Sequence, residues 1–483
     1  MPKAVTKTTR GPRLGELNLP AKASAASIIS SAVSKGGALL FTPFFTRLLT
    51  PEEYGSYSLF YSYLSVILIF ATLDICGAVF FRACQKYKGC ERQLMRSALY
   101  LILFSSGITL GVFLLYTKLP GGVELFAGSS LLLALYVLSS AVVNLYLARL
   151  KFLYKYKLPT LVCAMQSILA PLISIAALSA YPISGEGRVF IKVADGLLVT
   201  AAVAIPALFI ILFSDGVFGI FKPSFEMAGY LLRLALPLLP YYVSMLLISS
   251  ADKIIIGAAL PQDELGRYSL AYSLGWAIPG LIGGACQVLS PWVMRKVAAG
   301  NYEKVRRVCS AATSITGLSI LTLLSIAPEA MRVAAPSSYG EGLFTVYPVA
   351  LSAIPFFLAS VNTSLSISKE RVLPLTITGL SIGALNLGLC LILIPKFGTG
   401  AGAVITFLSY LCLFLLGWVL AEKQVRAALP LRDTILKIAV LCALGAILYF
   451  AKELFAIRLI WATVLGASLV FSLYRNRTLL KDT

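Results

Sequence analysis

The sequence predicts an all-α membrane protein of about fourteen transmembrane helices, built as two pseudo-symmetric six-helix lobes plus two C-terminal helices. Three observations predict it. First, apolar runs of about 20 residues, the length that spans a hydrocarbon core as helix, recur along nearly the whole chain; 58% of it is hydrophobic, 13% is charged, and its mean hydropathy is +0.87. Second, no ten-residue segments alternate with period two, which excludes a transmembrane barrel and leaves helices to satisfy every backbone group inside those runs. Third, one stretch is written twice.

That stretch is LTPEEYGSYSLFYSY, Leu49 to Tyr63, which returns as LPQDELGRYSLAYSL, Leu260 to Leu274. Glu53 falls on Glu264, Gly55 on Gly266, Tyr57-Ser58-Leu59 on Tyr268-Ser269-Leu270, and Tyr61-Ser62 on Tyr272-Ser273. Each copy follows an apolar run, opens with an acidic turn and enters another apolar run. A duplicated half in a membrane chain is the usual build of an alternating-access transporter, with its site between the halves. A weaker trace pairs Asn144, ahead of a basic loop and Pro159, with Asn362, ahead of Lys369, Arg371 and Pro374.

The expected spans are 25–49, 56–81, 95–117, 123–147, 159–181, 189–213, 229–256, 266–290, 308–328, 343–367, 372–394, 399–420, 435–451 and 457–474. They divide the chain into a basic arm (1–24), an N-terminal lobe (25–215), a C-terminal lobe (216–425) and a last helix pair with its tail (426–483). With the N-terminus placed in the cytoplasm, inside segments hold 30 of the 41 Lys and Arg and outside segments 10; Lys35 lies within the first span. That bias fits the positive-inside rule and puts both termini in the cytoplasm. The net charge of +20 is thereby a matter of topology rather than nucleic-acid binding. The arm lacks the short apolar core and cleavage site of a secretory signal.

The chain has nine cysteines, no CxxC and no histidine, so neither a disulfide framework nor a metal site is expected, and a coupling proton would ride on a carboxylate. No loop is large enough for a soluble catalytic domain, the longest outside stretch being that near 328–342. A membrane glycan polymerase or ligase, which needs such a loop, is disfavoured. Without a nucleotide-binding P-loop the chain has no means of using ATP. No cofactor is expected. Pro237 and Pro240 are the best candidates for a hinge.

Three stretches resemble polysaccharide exporters of the O-antigen flippase type: FTPFFTRLLTPEEYGSYSLFYSYLS at 41–65, LPLLPYYVSMLLISSADKIIIGAALPQDELGRYSLAYSLG at 236–275 with its Asp252-Lys253 pair, and LIPKFGTGAGAVITFLSYL at 393–411. The resemblance implies the MATE-like fold of the multidrug/oligosaccharidyl-lipid/polysaccharide superfamily. It implies flipping of polyprenyl-pyrophosphate-linked oligosaccharide from the cytoplasmic to the outer leaflet of a bacterial inner membrane. The implied partners are that lipid-linked glycan, membrane lipids and polysaccharide polymerase or assembly proteins. Two relatives of that plan remain open, a MATE-type ion-coupled drug or cation antiporter and a lipid-linked peptidoglycan precursor flippase.

Ionisable residues inside a bilayer need a partner or a wet cavity. Lys35 and Asp74 lie at similar depth on the first two spans; they pair with each other, serve as a pyrophosphate ligand and its resting partner, or both, and protonation of Asp74, the candidate for ion coupling, would release the lysine. Arg47, Asp252 and Lys253 cluster near the outer face. Arg47 and Lys253 are expected at the anionic head group, and Asp252 is expected to meet Arg47 in a gate. Asn144 and Asn362 are candidates for sugar contacts. The tyrosines of 54–63 and 241–272 divide between sugar stacking and the interfacial belt.

Overall fold

The structure, a computed structural model, describes residues 36–37, 40–87, 89–118, 128–153, 155, 157–180, 183–213, 224–298, 300–368, 372–421, 426, 429 and 431–475. Among these every regular element is helical, and twelve stretches are long and apolar enough to cross a membrane. Of the fourteen expected spans, twelve correspond to these stretches. The first lies mostly outside the described residues, and the eighth is broken.

The first half contains α1 (40–48), α2 (Pro51–Thr72), α3 (Ala78–Lys86), α4 (Glu91–Thr117), α5 (Ser129–Phe152), α6 (Lys157–Ala180) and α7 (Glu186–Phe213). The expected span 56–81 is two helices, because Leu73 and Asp74 turn left-handed (φ 49° and 46°) between α2 and α3. Aspartate tolerates that conformation better than leucine does. Helix α6 carries a π turn at Met165–Leu169. Buried residues of α3, α4, α5 and α7 form one core with the first turns of α8 (Phe225–Ala259). Pro237 and Pro240 sit inside α8, which remains one helix through both.

Next come α9 (Gln262–Gly275) and α10 (Ala277–Ala298), which together replace the expected span 266–290. Pro279 sits at the break. Lacking an N–H, it leaves the carbonyl four residues back without a helical donor but is accepted in the first turn of α10, while Trp276 closes α9 by donating to the Tyr272 carbonyl at 2.7 Å. Helix α11 (Tyr302–Ala334) runs through Pro328, and a 3₁₀ turn (Ser337–Gly342) leads into α12 (Leu343–Leu351) and α13 (Ala353–Ser368). The expected outside loop at 328–342 is therefore largely helical. Helix α14 (Val372–Phe397) packs along α8 and α15 (Thr399–Leu420).

The last pair, α16 (Leu431–Phe450) and α17 (Phe455–Arg475), leans on α11. An ion pair fixes it there. Arg458, only 2% exposed, donates from both terminal nitrogens to the Glu329 carboxylate at 2.6 Å and to the Ser325 carbonyl at 3.0 Å. Removing one partner of a fully buried pair costs about 3–5 kcal/mol because the other charge is stranded. The Glu329 side chain is 29% exposed, so Glu329→Gln is expected to cost about 2–3 kcal/mol. Thermal unfolding in detergent should fall by several degrees, and an unchanged midpoint would remove the pair from the forces holding this hairpin.

Candidate functional site

The site starts with how α2 and α9 begin. Thr50 caps α2 reciprocally with Glu53, its hydroxyl accepting the Glu53 N–H at 3.2 Å while Glu53 accepts the Thr50 N–H at 2.9 Å, and Pro51 occupies the first turn. This arrangement satisfies two free helix-end donors at once. The second Glu53 oxygen accepts the Gly185 N–H at 2.9 Å, tying the turn to the start of α7.

From these starts α2 and α9 cross in close contact. A Cβ built on Gly55 would lie 2.1 Å from the Gln262 carbonyl oxygen, and one on Gly266 would lie 1.8 Å from that of Pro51. Gly55 and Gly266 are equivalent in the repeat, as are Pro51 and Gln262, so the contact is made twice about a pseudo-two-fold. Both glycines are needed for backbone to meet backbone. Around the crossing, Tyr339 donates to the Leu49 carbonyl at 3.1 Å and Thr46 to that of Ala334 at 2.6 Å, joining the two halves further. This sealed end is the one that the charge count places outside.

Beneath the seam is a cavity of about 710 Å3. Its walls come from both copies of the repeat: Ser58, Tyr61 and Ser62 from α2 face Ser269, Tyr272 and Ser273 from α9. Positions i, i+3 and i+4 share one helix face, so the duplicated Tyr-Ser pattern becomes two matched cavity walls. Tyr61 and Tyr136 hydroxyls are 3.1 Å apart within it.

Two ammonium groups belong to this cavity. Lys253, on α8, has its Nζ 4.1 Å from the Tyr272 ring centre. Lys192, on α7, is 6% exposed and places its Nζ 3.9, 4.9 and 3.5 Å from the ring centres of Phe45, Tyr54 and Tyr57. Such rings attract a cation with their faces. Among the described lining residues there is no aspartate or glutamate.

A second cavity of about 430 Å3 adjoins further along α2, with Ser65 lining both. Asp74, Asn144 and Lys151 line it, so two of the residues singled out in the sequence are brought together there. Tyr242 of α8 lies beside the Asp74 carboxylate. Lys35, its expected partner, lies outside the described residues.

The remaining candidates are placed differently. Arg47 is outside the cavity lining; it donates to the backbone carbonyls of Pro43 at 2.7 Å and Val333 at 3.3 Å. Asp252 is 1% exposed and turned away from the cavity, accepting from the Tyr268 hydroxyl and, at 3.3 Å, from Thr406. The expected Arg47–Asp252 pair is therefore not formed among the described residues in this conformation, and the glycine seam closes that end instead. Asn362 is buried against Gly417 of α15, away from the central cavity.

Sequence reasoning missed Lys192. It stands three residues into the expected span 189–213, where length alone reads a lysine as interfacial. Its companions at 45, 54 and 57 are more than 130 positions away, and only the fold assembles them.

A family model for "Polysaccharide biosynthesis protein" matches residues 21–297, more than half of the chain. The chain belongs to this family. The matched region includes α2, α7, α8 and α9, hence all of the central cavity. Solved structures share the fold. Lipid II flippase MurJ, in an inward closed conformation, superposes with a TM-score of 0.67 at 13% identity, covering 95% of this chain and 100% of that one. An inward-facing multidrug resistance MATE family transporter of the MOP superfamily gives 0.59 at 13% identity, covering 86% and 98%. A MOP superfamily transporter from Pyrococcus furiosus, described by the reverse polarity of its binding pocket, gives 0.55 at 15% identity, covering 90% and 99%. No curated protein sequence matches the chain.

Proposed function

We propose that this family member flips a polyprenyl-pyrophosphate-linked oligosaccharide from the cytoplasmic to the outer leaflet of a bacterial inner membrane, with both termini in the cytoplasm. The observation that carries the proposal is the central cavity: two lysines, matched rows of tyrosine and serine, and no acid among its described lining residues. Ammonium groups attract a pyrophosphate, hydroxyls hydrogen-bond a glycan, and aromatic faces stack on sugar rings. The same lining disfavours a cation antiporter, which needs carboxylates facing its cargo.

The mechanism is alternating access between two lobes, 25–215 and 216–425. With the glycine seam closed, the anionic head enters from the cytoplasmic side, past Asp74 and Asn144, and rests against Lys192 and Lys253. The polyprenyl tail stays in the bilayer. Separation of α2 from α9 then opens the other side. Lys35, Arg47 and Asp252 belong to the proposal as residues of the entry path and of the rearranging outer end, and Asn362 as a sugar contact of another state.

Reconstituted vesicles test it. A polyprenyl-pyrophosphate oligosaccharide is incorporated and its protection from an external glycosidase is followed over time. Loss of the protected pool with protein, and not in empty vesicles, is the expected result. No flipping across several glycans with an imposed proton or sodium gradient, together with uptake of a cationic dye, would replace this reading by the antiporter.

A further inference from the structure

We propose that the groove between α11 and α17 holds the phosphate of an anionic membrane phospholipid, which pins the C-terminal helix pair to the second half of the chain. The groove is open to the surface, has a volume of about 660 Å3 and is separate from the transport path: α11, α16 and α17 contribute none of the described lining residues of the central cavity.

One stripe of α11 builds the near wall. Glu303, Arg306, Arg307, Ser310 and Ser314 recur at helical spacing and all line the groove, opposite Phe471, Ser472 and Arg475 of α17. From the side, Lys437 of α16 reaches the Ser310 and Ser314 hydroxyls at 3.1 and 3.4 Å. Among the described residues, three lining arginines and Lys437 thus meet one lining acid, Glu303, which Arg307 engages; Asp433 lies a turn before Lys437, outside the lining. Guanidinium forks match phosphate oxygens in pairs, and the Ser310 hydroxyl adds a polar group below them, the Ser314 hydroxyl donating to the Ser310 carbonyl at 3.0 Å. The positive-inside rule explains basic residues at this end of the bundle. It does not explain two serines on the same stripe as the arginines, whose hydroxyls Lys437 engages from the neighbouring helix.

The surroundings select a lipid over a soluble anion. Val464, Val470, Phe471 and Tyr474 of α17 are 55%, 67%, 65% and 63% exposed, an apolar flank on which acyl chains lie while the head group sits in the groove. Basic pockets between transmembrane helices at the cytoplasmic side take such head groups. The placement also completes an asymmetry. Glu329 and Arg458 fasten the hairpin at one end of α11, and the groove lies toward the other, about 20 to 40 Å away at helical rise.

The test uses delipidated full-length protein in mild detergent, with thermal unfolding read against added phosphatidylglycerol, phosphatidylethanolamine or inorganic phosphate. Phosphatidylglycerol is expected to raise the midpoint by several degrees, with the other two leaving it in place. In the triple variant Arg306→Gln/Arg307→Gln/Arg475→Gln, half-saturation should need roughly 10-fold more phosphatidylglycerol, equivalent to the loss of one strong charge-assisted contact. A charge-matched control, Arg92→Gln/Lys155→Gln/Lys157→Gln, should respond as wild type. Ser314→Leu, which fills the groove and keeps every arginine, should lose the response too and covers the case in which the triple variant fails to fold. Equal responses of the triple variant and its control would reduce the effect to surface charge and overturn the proposal. So would a shift reproduced by phosphate alone or by phosphatidylethanolamine.

Discussion

Gly266→Leu is expected to abolish transport while leaving the protein inserted and folded. Any Cβ at 266 falls 1.8 Å from the Pro51 carbonyl oxygen, a backbone atom that cannot swing aside as a side chain would. The collision exists only while α2 and α9 are closed on each other. The variant therefore penalises the sealed state and spares the open one. Overpacking of about 1–3 kcal/mol shifts a two-state balance roughly 5- to 150-fold, and leucine belongs at the upper end. A protein that cannot seal this end cannot complete a cycle. The measurement pairs glycan flipping with outside labelling of Ser269→Cys by an impermeant thiol reagent, in a background where Cys163, which also lines the cavity, is replaced. Flipping should fall more than about 10-fold and labelling should rise. Gly55→Leu should behave alike by the pseudo-two-fold, whereas Gly111→Leu on α4, where nothing lies within 4 Å, should be silent. Wild-type flipping by Gly266→Leu would mean that the seam is packing and not a gate.

The glycines and the Tyr-Ser pairs were legible as a repeat because duplication leaves identities at a fixed offset, and helical spacing then puts 58, 61 and 62 on one face. Their use was not legible. A tyrosine near a helix end reads equally as interfacial belt or cavity wall until the opposing helix is known. The same holds for charges. Asp252 and Lys253 are neighbours in sequence and so point different ways on a helix; the aspartate is absorbed by Tyr268 and Thr406, and the lysine reaches the cavity. The break of α2 at Leu73–Asp74 has no proline to announce it, whereas Pro279 marks the break after α9. Arg458 gives no sign in the sequence of its partner; it is buried against Glu329 because α11 continues past Pro328 and carries that carboxylate to it.

Lys192→Met is expected to raise thermal stability and to stop transport, two effects of opposite sign from one substitution. Burying an ammonium costs several kcal/mol even after relaxation. Cation–π contacts return about 0.5–2 kcal/mol each when desolvated, and among the described residues those to Phe45, Tyr54 and Tyr57 are what Lys192 has. Methionine keeps most of the volume, makes good sulfur–aromatic contacts and needs no solvation, so the unfolding midpoint should rise by a few degrees. A site held at a cost to stability is a common mark of function. The missing term is the ligand's: a pyrophosphate entering the cavity supplies a counter-charge that the described lining residues do not. Without Lys192 that term is gone, and flipping should drop by about 10-fold or more, as loss of a strong charge-assisted contact implies. Lys192→Arg, which keeps the charge, should retain part of the activity, since the remaining requirement is geometric. A fall in both stability and transport for Lys192→Met would make the lysine a pillar of the aromatic cluster, and the head group would then rest on Lys253 alone.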